Sequence, residues 1–148
     1  MAGQVDAQGP QGRGPAGPVV MRAMPLSPHL QVWRWHITMA ASILTRATGV
    51  ALYVGLLIVA AWAVSLAMGP DAYAALMGLM GSIIGKLVLF GLTVSIFFHL
   101  AAGLRHLAFD TGKGFEPRTA NLTAMLCIAF ALVAALVVWA LAFAVGAA

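Results

Sequence analysis

Three long stretches of the chain carry no charged residue, and short polar segments separate them. They run over residues 47–70, 87–104 and 119–148. A helix rises about 1.5 Å per residue, so the first stretch reaches about 36 Å and exceeds the roughly 30 Å hydrocarbon core of a bilayer. The second reaches about 27 Å, which suffices when the flanking Lys86 and Arg105 extend towards the interface. The pattern predicts three membrane-spanning helices.

Residues that begin or break helices indicate where these spans end. The first helix is expected to begin near Thr38 and to end at the Gly-Pro-Asp break of residues 69–71, because proline and glycine interrupt helices. Residues 72–82 are compatible with a short interfacial helix that leads into the second span. The third helix is expected over residues 121–145, which are almost entirely apolar, so we expect little chemistry from it.

Composition supports a membrane protein and excludes several other classes. Of the 148 residues, 62% are apolar and 8% are charged, against roughly 25% charged in soluble domains. The eight basic residues are spread along the chain and form no dense patch for nucleic acid. A single cysteine, Cys127, rules out an intrachain disulfide framework and a multi-cysteine metal site. The expected fold class is all-α, solvated by the lipid bilayer.

The N-terminal segment differs from the rest of the chain. Residues 1–28 are rich in Gly, Pro and Gln and show no helical or strand period, so we expect a disordered or extended cytoplasmic segment. It has no apolar core ahead of its arginines, so we do not expect a secretory signal. The scarcity of acidic residues leaves a mitochondrial transit peptide as an alternative. The remaining residues, 29–148, are expected to form the membrane anchor domain.

Basic residues predict which side of the membrane each loop faces. Seven of the eight lie before the first span or after the second, and only Lys86 lies on the other side. By the positive-inside rule, the N-terminus and the second loop face the cytoplasm of a bacterial inner membrane. The mitochondrial inner membrane, with these segments in the matrix, is the alternative.

His99 is the most unusual residue of the spans. It lies six residues, about 9 Å of helix rise, inside Arg105. One interpretation is a histidine hydrogen-bonded to a neighbouring helix. The other is an axial ligand of a haem, since ionisable residues inside membranes are costly and usually functional. His106 shares its helix face and cannot ligate the opposite side of the same iron. His29 and His36 lie near the interface, so a five-coordinate haem or a ligand from a partner chain is expected.

Polar residues at the cytoplasmic ends of the spans are further candidates. Ser42 and Arg46 lie four residues apart and share a helix face. One interpretation is that Arg46 marks the membrane interface and Ser42 hydrogen-bonds the nearby backbone. The other is that the two side chains form a polar notch that hydrogen-bonds the carbonyl oxygens of a quinone. Arg105 and His106 lie at the same level and could pair with haem propionates, while Asp110 could neutralise either of them.

Three motifs in the sequence resemble those of a known family. They read PLSPHLQVW, SILTRATG and HLAAGLRHLAFDTG, in this order and correctly spaced relative to the spans. Together they are similar to the signatures of the cytochrome b subunit of succinate dehydrogenase, a membrane anchor of respiratory complex II. The resemblance covers residues 25–112, and the third helix matches only in character.

The resemblance implies a role for each candidate. His99 matches an axial ligand of haem b, with the other ligand supplied by a second membrane subunit, so the three helices would form half of a haem-binding bundle. Ser42 and Arg46 match residues of the ubiquinone site, which that subunit and an iron–sulfur subunit complete. Many relatives have histidine where this chain has Thr45, a histidine associated with the haem propionates and the quinone pocket.

The expected function is that of a membrane-anchor subunit of succinate:ubiquinone oxidoreductase without a complete active site of its own. The sequence has no cysteine cluster or nucleotide motif for iron–sulfur or flavin chemistry. That chemistry is expected on an iron–sulfur subunit and a flavoprotein subunit on the cytoplasmic side. The alternatives are the anchor of a fumarate-reducing quinol complex and a non-catalytic membrane transport or assembly protein.

Overall fold

The computed structural model describes residues 34–146, which form four helices. Three of them are long and apolar enough to cross a membrane, so the all-helical fold and the three predicted spans are confirmed. The N-terminal segment 1–28, expected to be disordered, lies outside the described residues. In chain order the helices are α1 (Ile37–Met68), α2 (Pro70–Gly81), α3 (Ile83–Asp110) and α4 (Pro117–Val145).

The break between α1 and α2 lies where the sequence predicted it. Gly69 has a φ of 106° and ends α1, a conformation that side chains disfavour and glycine adopts freely. Pro70 follows as the first residue of α2, where its missing N–H costs no helical hydrogen bond. These two residues divide one apolar run into a span and a short helix.

The turn from α2 to α3 is tight and depends on two small residues. The Ser82 hydroxyl accepts a hydrogen bond from the Gly85 backbone N–H at 3.1 Å, which caps the start of α3. Gly85 is buried, and a methyl group added to it would lie 2.6 Å from the Met80 Cα. The turn therefore requires glycine at this position. As a result, α3 begins at Ile83, four residues before the predicted span.

The three spans pack through small side chains. α3 contacts both α1 and α4. In a bilayer, small residues allow helix backbones to approach closely and gain dispersion contacts. Large aliphatic side chains cover the outer surfaces instead, among them Val50 and Val133, which are 67% and 60% exposed. Among residues 34–146, the buried apolar side chains are five alanines and one phenylalanine, namely Ala41, Phe98, Ala102, Ala124, Ala131 and Ala135.

α4 makes more polar contacts than its sequence suggested. The Trp139 indole Nε1 donates a hydrogen bond to the Thr93 Oγ1 at 3.2 Å, and the Phe90 ring packs edge-on against the indole. Near the other end of the helix, Thr123 accepts a hydrogen bond from Arg105. These hydrogen bonds attach α4 to α3, and the expectation that α4 carries little chemistry stays a prediction.

Candidate functional site

His99 contacts α1 near the predicted cytoplasmic ends of the spans. Its side chain is half-buried, and its Nδ1 lies 3.2 Å from the Thr48 Oγ1. The same threonine oxygen is 2.7 Å from the Leu44 carbonyl oxygen. One ring nitrogen of His99 thus has a hydrogen-bond partner on a neighbouring helix, as the simpler of the two interpretations required.

Gly49 lies where the imidazole meets α1, and it has no side chain that could crowd the ring. A methyl group on Gly49 would lie 3.4 Å from the His99 Cε1 and 4.0 Å from its Nδ1. That distance is ordinary van der Waals contact for one carbon, so a larger side chain would push the ring away. The Thr48–Gly49 pair therefore supplies a hydrogen-bond partner and the space for the imidazole.

The other ring nitrogen of His99 fits the chemistry of a haem ligand. Across residues 34–146, its Nε2 forms no hydrogen bond with a protein group. The same residues contain no cluster of three or more His, Cys, Asp or Glu side chains that could hold a bare metal ion. Haem iron needs only one such nitrogen from each side. The donor set therefore suits a haem in an apolar bundle.

Ser42 and Arg46 lie on the opposite side of α1 from His99. Both are exposed, and neither has a hydrogen-bond or ion-pair partner among the described residues. Arg46 precedes Thr48 by two positions, about 200° around a helix, so the guanidinium does not approach the imidazole. The two residues share a face, as predicted, with their polar groups free for a partner or ligand.

Thr45 is satisfied within α1. Its hydroxyl donates to the Ala41 carbonyl oxygen at 2.8 Å, a bond that β-branched threonine commonly makes in helices. At the position where the resemblance implied a histidine, this chain therefore has a side chain whose hydroxyl already donates within α1.

Arg105 is directed towards α4. Its Nε donates to the Thr123 Oγ1 at 3.0 Å and its Nη2 to the Ala120 carbonyl oxygen at 3.1 Å, and its guanidinium lies 4.4 Å from the Phe109 ring centre. Two of its five N–H donors are thus used within this chain. The role of the arginine as a haem propionate partner stays a prediction.

His106 and Asp110 remain exposed at the same end of α3. The imidazole packs edge-on against Phe109 at a centroid distance of 6.1 Å. Asp110 forms no ion pair with Arg105 or His106, so the suggestion that it neutralises one of them was wrong. Within the described part of the chain its ring nitrogens form no hydrogen bond, and the role of His106 as a second propionate partner stays a prediction.

Three residues of this region were not identified from the sequence. Thr48 and Gly49 lie within the motif SILTRATG, and Thr123 lies in the third charge-free stretch. Hydropathy could not have found them, since each acts through a contact with a distant helix.

Comparison with known proteins decides the family. A family model described as the succinate dehydrogenase/fumarate reductase transmembrane subunit matches residues 22–138. The chain belongs to this family. The match spans α1 to α3 and most of α4, so it covers His99 and the polar ends of the spans.

Individual relatives of this transmembrane subunit agree. The succinate dehydrogenase cytochrome b556 subunit of Paracoccus denitrificans is 40% identical over 75% of this chain and 85% of its own. That of Rickettsia felis is 32% identical over 78% and 90%. The mitochondrial cytochrome b560 subunit of Sus scrofa is 36% identical, over 61% of this chain and 54% of its own. The predicted function, a cytochrome b membrane-anchor subunit of succinate dehydrogenase, is confirmed.

Proposed function

We propose that this subunit binds a b-type haem through His99, jointly with a second membrane subunit, and contributes Ser42 and Arg46 to a ubiquinone reduction site. The observation that carries the proposal is the imidazole of His99: half-buried in an apolar span, bonded to Thr48 through Nδ1 and without a hydrogen-bond partner at Nε2 in the described part of the chain. A polar atom at membrane depth favours a partner, and iron supplies one.

The second ligand is proposed to come from another subunit. The two axial ligands of haem iron approach from opposite faces of the ring, and His106 shares the helix face of His99 two turns away. His36 lies at the N-cap of α1, and His29 lies outside the described residues. When bound, the haem supplies a one-electron centre within the bilayer.

The quinone proposal rests on the exposed face of α1. The Ser42 hydroxyl and the Arg46 guanidinium are hydrogen-bond donor groups, and neither has an acceptor among residues 34–146. A quinone ring offers two carbonyl oxygens as acceptors and gains negative charge as it is reduced. A guanidinium favours that charge. The second membrane subunit and the iron–sulfur subunit are proposed to complete the site on this exposed face.

Arg105 and His106 are proposed to interact with the haem propionates. Three N–H donors of the Arg105 guanidinium remain after its two bonds to α4, and His106 is exposed. Because α4 holds the arginine through Thr123, the guanidinium would be pre-oriented for a carboxylate.

Purification of the assembled complex tests the proposed function. A tagged version of this subunit should co-purify with a second membrane subunit, an iron–sulfur subunit and a flavoprotein subunit, identified by mass spectrometry. The complex should show the reduced-minus-oxidised spectrum of a b-type haem. A monodisperse, haem-loaded protein made from this chain alone would contradict the shared site, and a pure complex without haem absorbance would contradict the haem itself.

The orientation of the subunit gives a separate prediction. From the seven-to-one distribution of basic residues and three spans, we expect a cytoplasmic N-terminus and an external C-terminus. An alkaline phosphatase fused to the C-terminus should be active, and a green fluorescent protein fused there should be dark when exported unfolded. If the green fluorescent protein fusion is fluorescent and the alkaline phosphatase fusion is inactive, the C-terminus lies in the cytoplasm and the predicted orientation is wrong.

A further inference from the structure

The Thr48 hydroxyl has three polar neighbours, and they determine where its hydrogen lies. Its oxygen is 2.7 Å from the Leu44 carbonyl oxygen, 3.1 Å from that of Thr45 and 3.2 Å from the His99 Nδ1. A hydroxyl has one hydrogen to donate and two lone pairs that accept, whereas a carbonyl oxygen only accepts. The hydrogen therefore points to the nearest carbonyl, that of Leu44, and a lone pair faces the imidazole.

This arrangement selects one tautomer of His99. A neutral imidazole carries its hydrogen on either Nδ1 or Nε2. Opposite a lone pair of the Thr48 oxygen, Nδ1 has to be the donor, since two lone pairs facing each other would repel. Nε2 then keeps its lone pair, and an unprotonated ring nitrogen is the form that binds a metal.

We infer that Thr48 is a positioning residue for the proposed haem ligand: it accepts a hydrogen bond from the Nδ1–H of His99 and holds the ring in the tautomer that leaves Nε2 for iron. The inference rests on the proposed haem function. Among the described residues, Thr48 is the one hydrogen-bond partner of this imidazole.

The local sequence is suited to this task. Thr48 is only 9% exposed, so water does not readily replace its hydroxyl. As a β-branched residue in a helix, it bonds a carbonyl of the preceding turn, which orients the oxygen before the imidazole arrives. Gly49 beside it leaves the space that the ring occupies.

The bond should affect the redox behaviour of the haem. A histidine ligand that donates its other N–H becomes more basic, which favours the oxidised iron, so loss of the acceptor should raise the midpoint potential. A neutral hydrogen bond changes an equilibrium by roughly two- to twelvefold. For a one-electron couple, where a tenfold change is about 59 mV, this corresponds to an upward shift of about 20–60 mV.

The test compares four variants of this subunit in the assembled complex. Thr48→Val keeps the shape and removes the hydroxyl, and Thr48→Ser restores the hydroxyl. Ser65→Ala is the matched control, because Ser65 is 7% exposed, lies on the same helix and donates to the Trp62 carbonyl oxygen at 2.8 Å. His99→Ala reports whether the proposed ligand is correct. The readouts are the midpoint potential and the electron paramagnetic resonance spectrum of the oxidised haem.

We expect Thr48→Val to raise the potential and shift the resonance, with Thr48→Ser and Ser65→Ala close to the wild type. A wild-type midpoint potential in Thr48→Val would overturn the inference. So would a potential shift in Thr48→Ser or in Ser65→Ala as large as that in Thr48→Val. If His99→Ala alters the haem and Thr48→Val does not, only the role of Thr48 fails. If His99→Ala also leaves the haem unchanged, the proposed ligand fails too. Co-purified subunits, measured by mass, confirm that each variant assembles.

Discussion

His99→Ala is expected to change the haem of the assembled complex more than any other substitution in this chain. The substitution removes the proposed ligand itself. Replacing only a hydrogen-bond partner of a metal ligand already lowers the affinity for the metal by about 10- to 100-fold. We expect a larger loss of haem affinity than that range. Because the proposed partner ligand remains, the iron would become five-coordinate, and the absorption spectrum and midpoint potential should shift even where colour is retained.

His36→Ala is the control for this experiment. His36 is exposed at the N-cap of α1 and forms no side-chain cap hydrogen bond, so its loss should leave the haem spectrum unchanged. A wild-type spectrum and potential in His99→Ala would refute the ligand assignment. The interpretation of His99 as a purely structural histidine bonded to Thr48 would then stand.

Arg46→Ala is expected to lower succinate–ubiquinone activity by about 10- to 100-fold. A hydrogen bond to a charged group contributes about 1.5–3 kcal/mol, which corresponds to that factor. Ser42→Ala should lower it less, because its hydrogen bond is neutral and worth about 0.5–1.5 kcal/mol. Succinate oxidation by an artificial acceptor that takes electrons before the quinone should hardly change. The ratio of the two activities, measured on assembled complexes, is the decisive quantity.

Two further variants separate quinone chemistry from charge and assembly. Arg118→Ala removes an exposed arginine at the start of α4, on the side of the membrane predicted for Arg46, and should leave the ratio unchanged. Arg46→Lys keeps the charge and loses the planar fork of the guanidinium, so an intermediate loss is expected. If both activities fall together in Arg46→Ala, the arginine supports assembly, and if neither falls, it is an interfacial anchor.

The three spans were predictable because each helix must by itself be long and apolar enough to cross the bilayer. A charge-free stretch of sufficient length needs no partner to be recognised, and α1 begins at Ile37 beside the predicted Thr38. The starts of α3 and α4, at Ile83 and Pro117, each lie four residues before the predicted positions. Charge-free stretches mark the hydrocarbon core, while the hydrogen-bonded helix continues past Lys86 and into the interface.

Contacts between helices were not predictable in the same way. Thr48 and His99 are 51 residues apart, and Arg105 and Thr123 are 18 apart. No period in the sequence indicates which face of one apolar helix meets which face of another. The position of the alanines on α4 became informative only once their burial against the other spans was known.

The sequence by itself determined the number of spans, the break at Gly69 and the depth of His99 within its helix, because each depends on local composition and on the fixed rise of a helix. The tertiary structure alone decided that Nδ1 of His99 is bonded to Thr48 and that Arg105 is held by α4. Those bonds depend on how small side chains let particular helices approach, and that packing joins residues far apart in the chain.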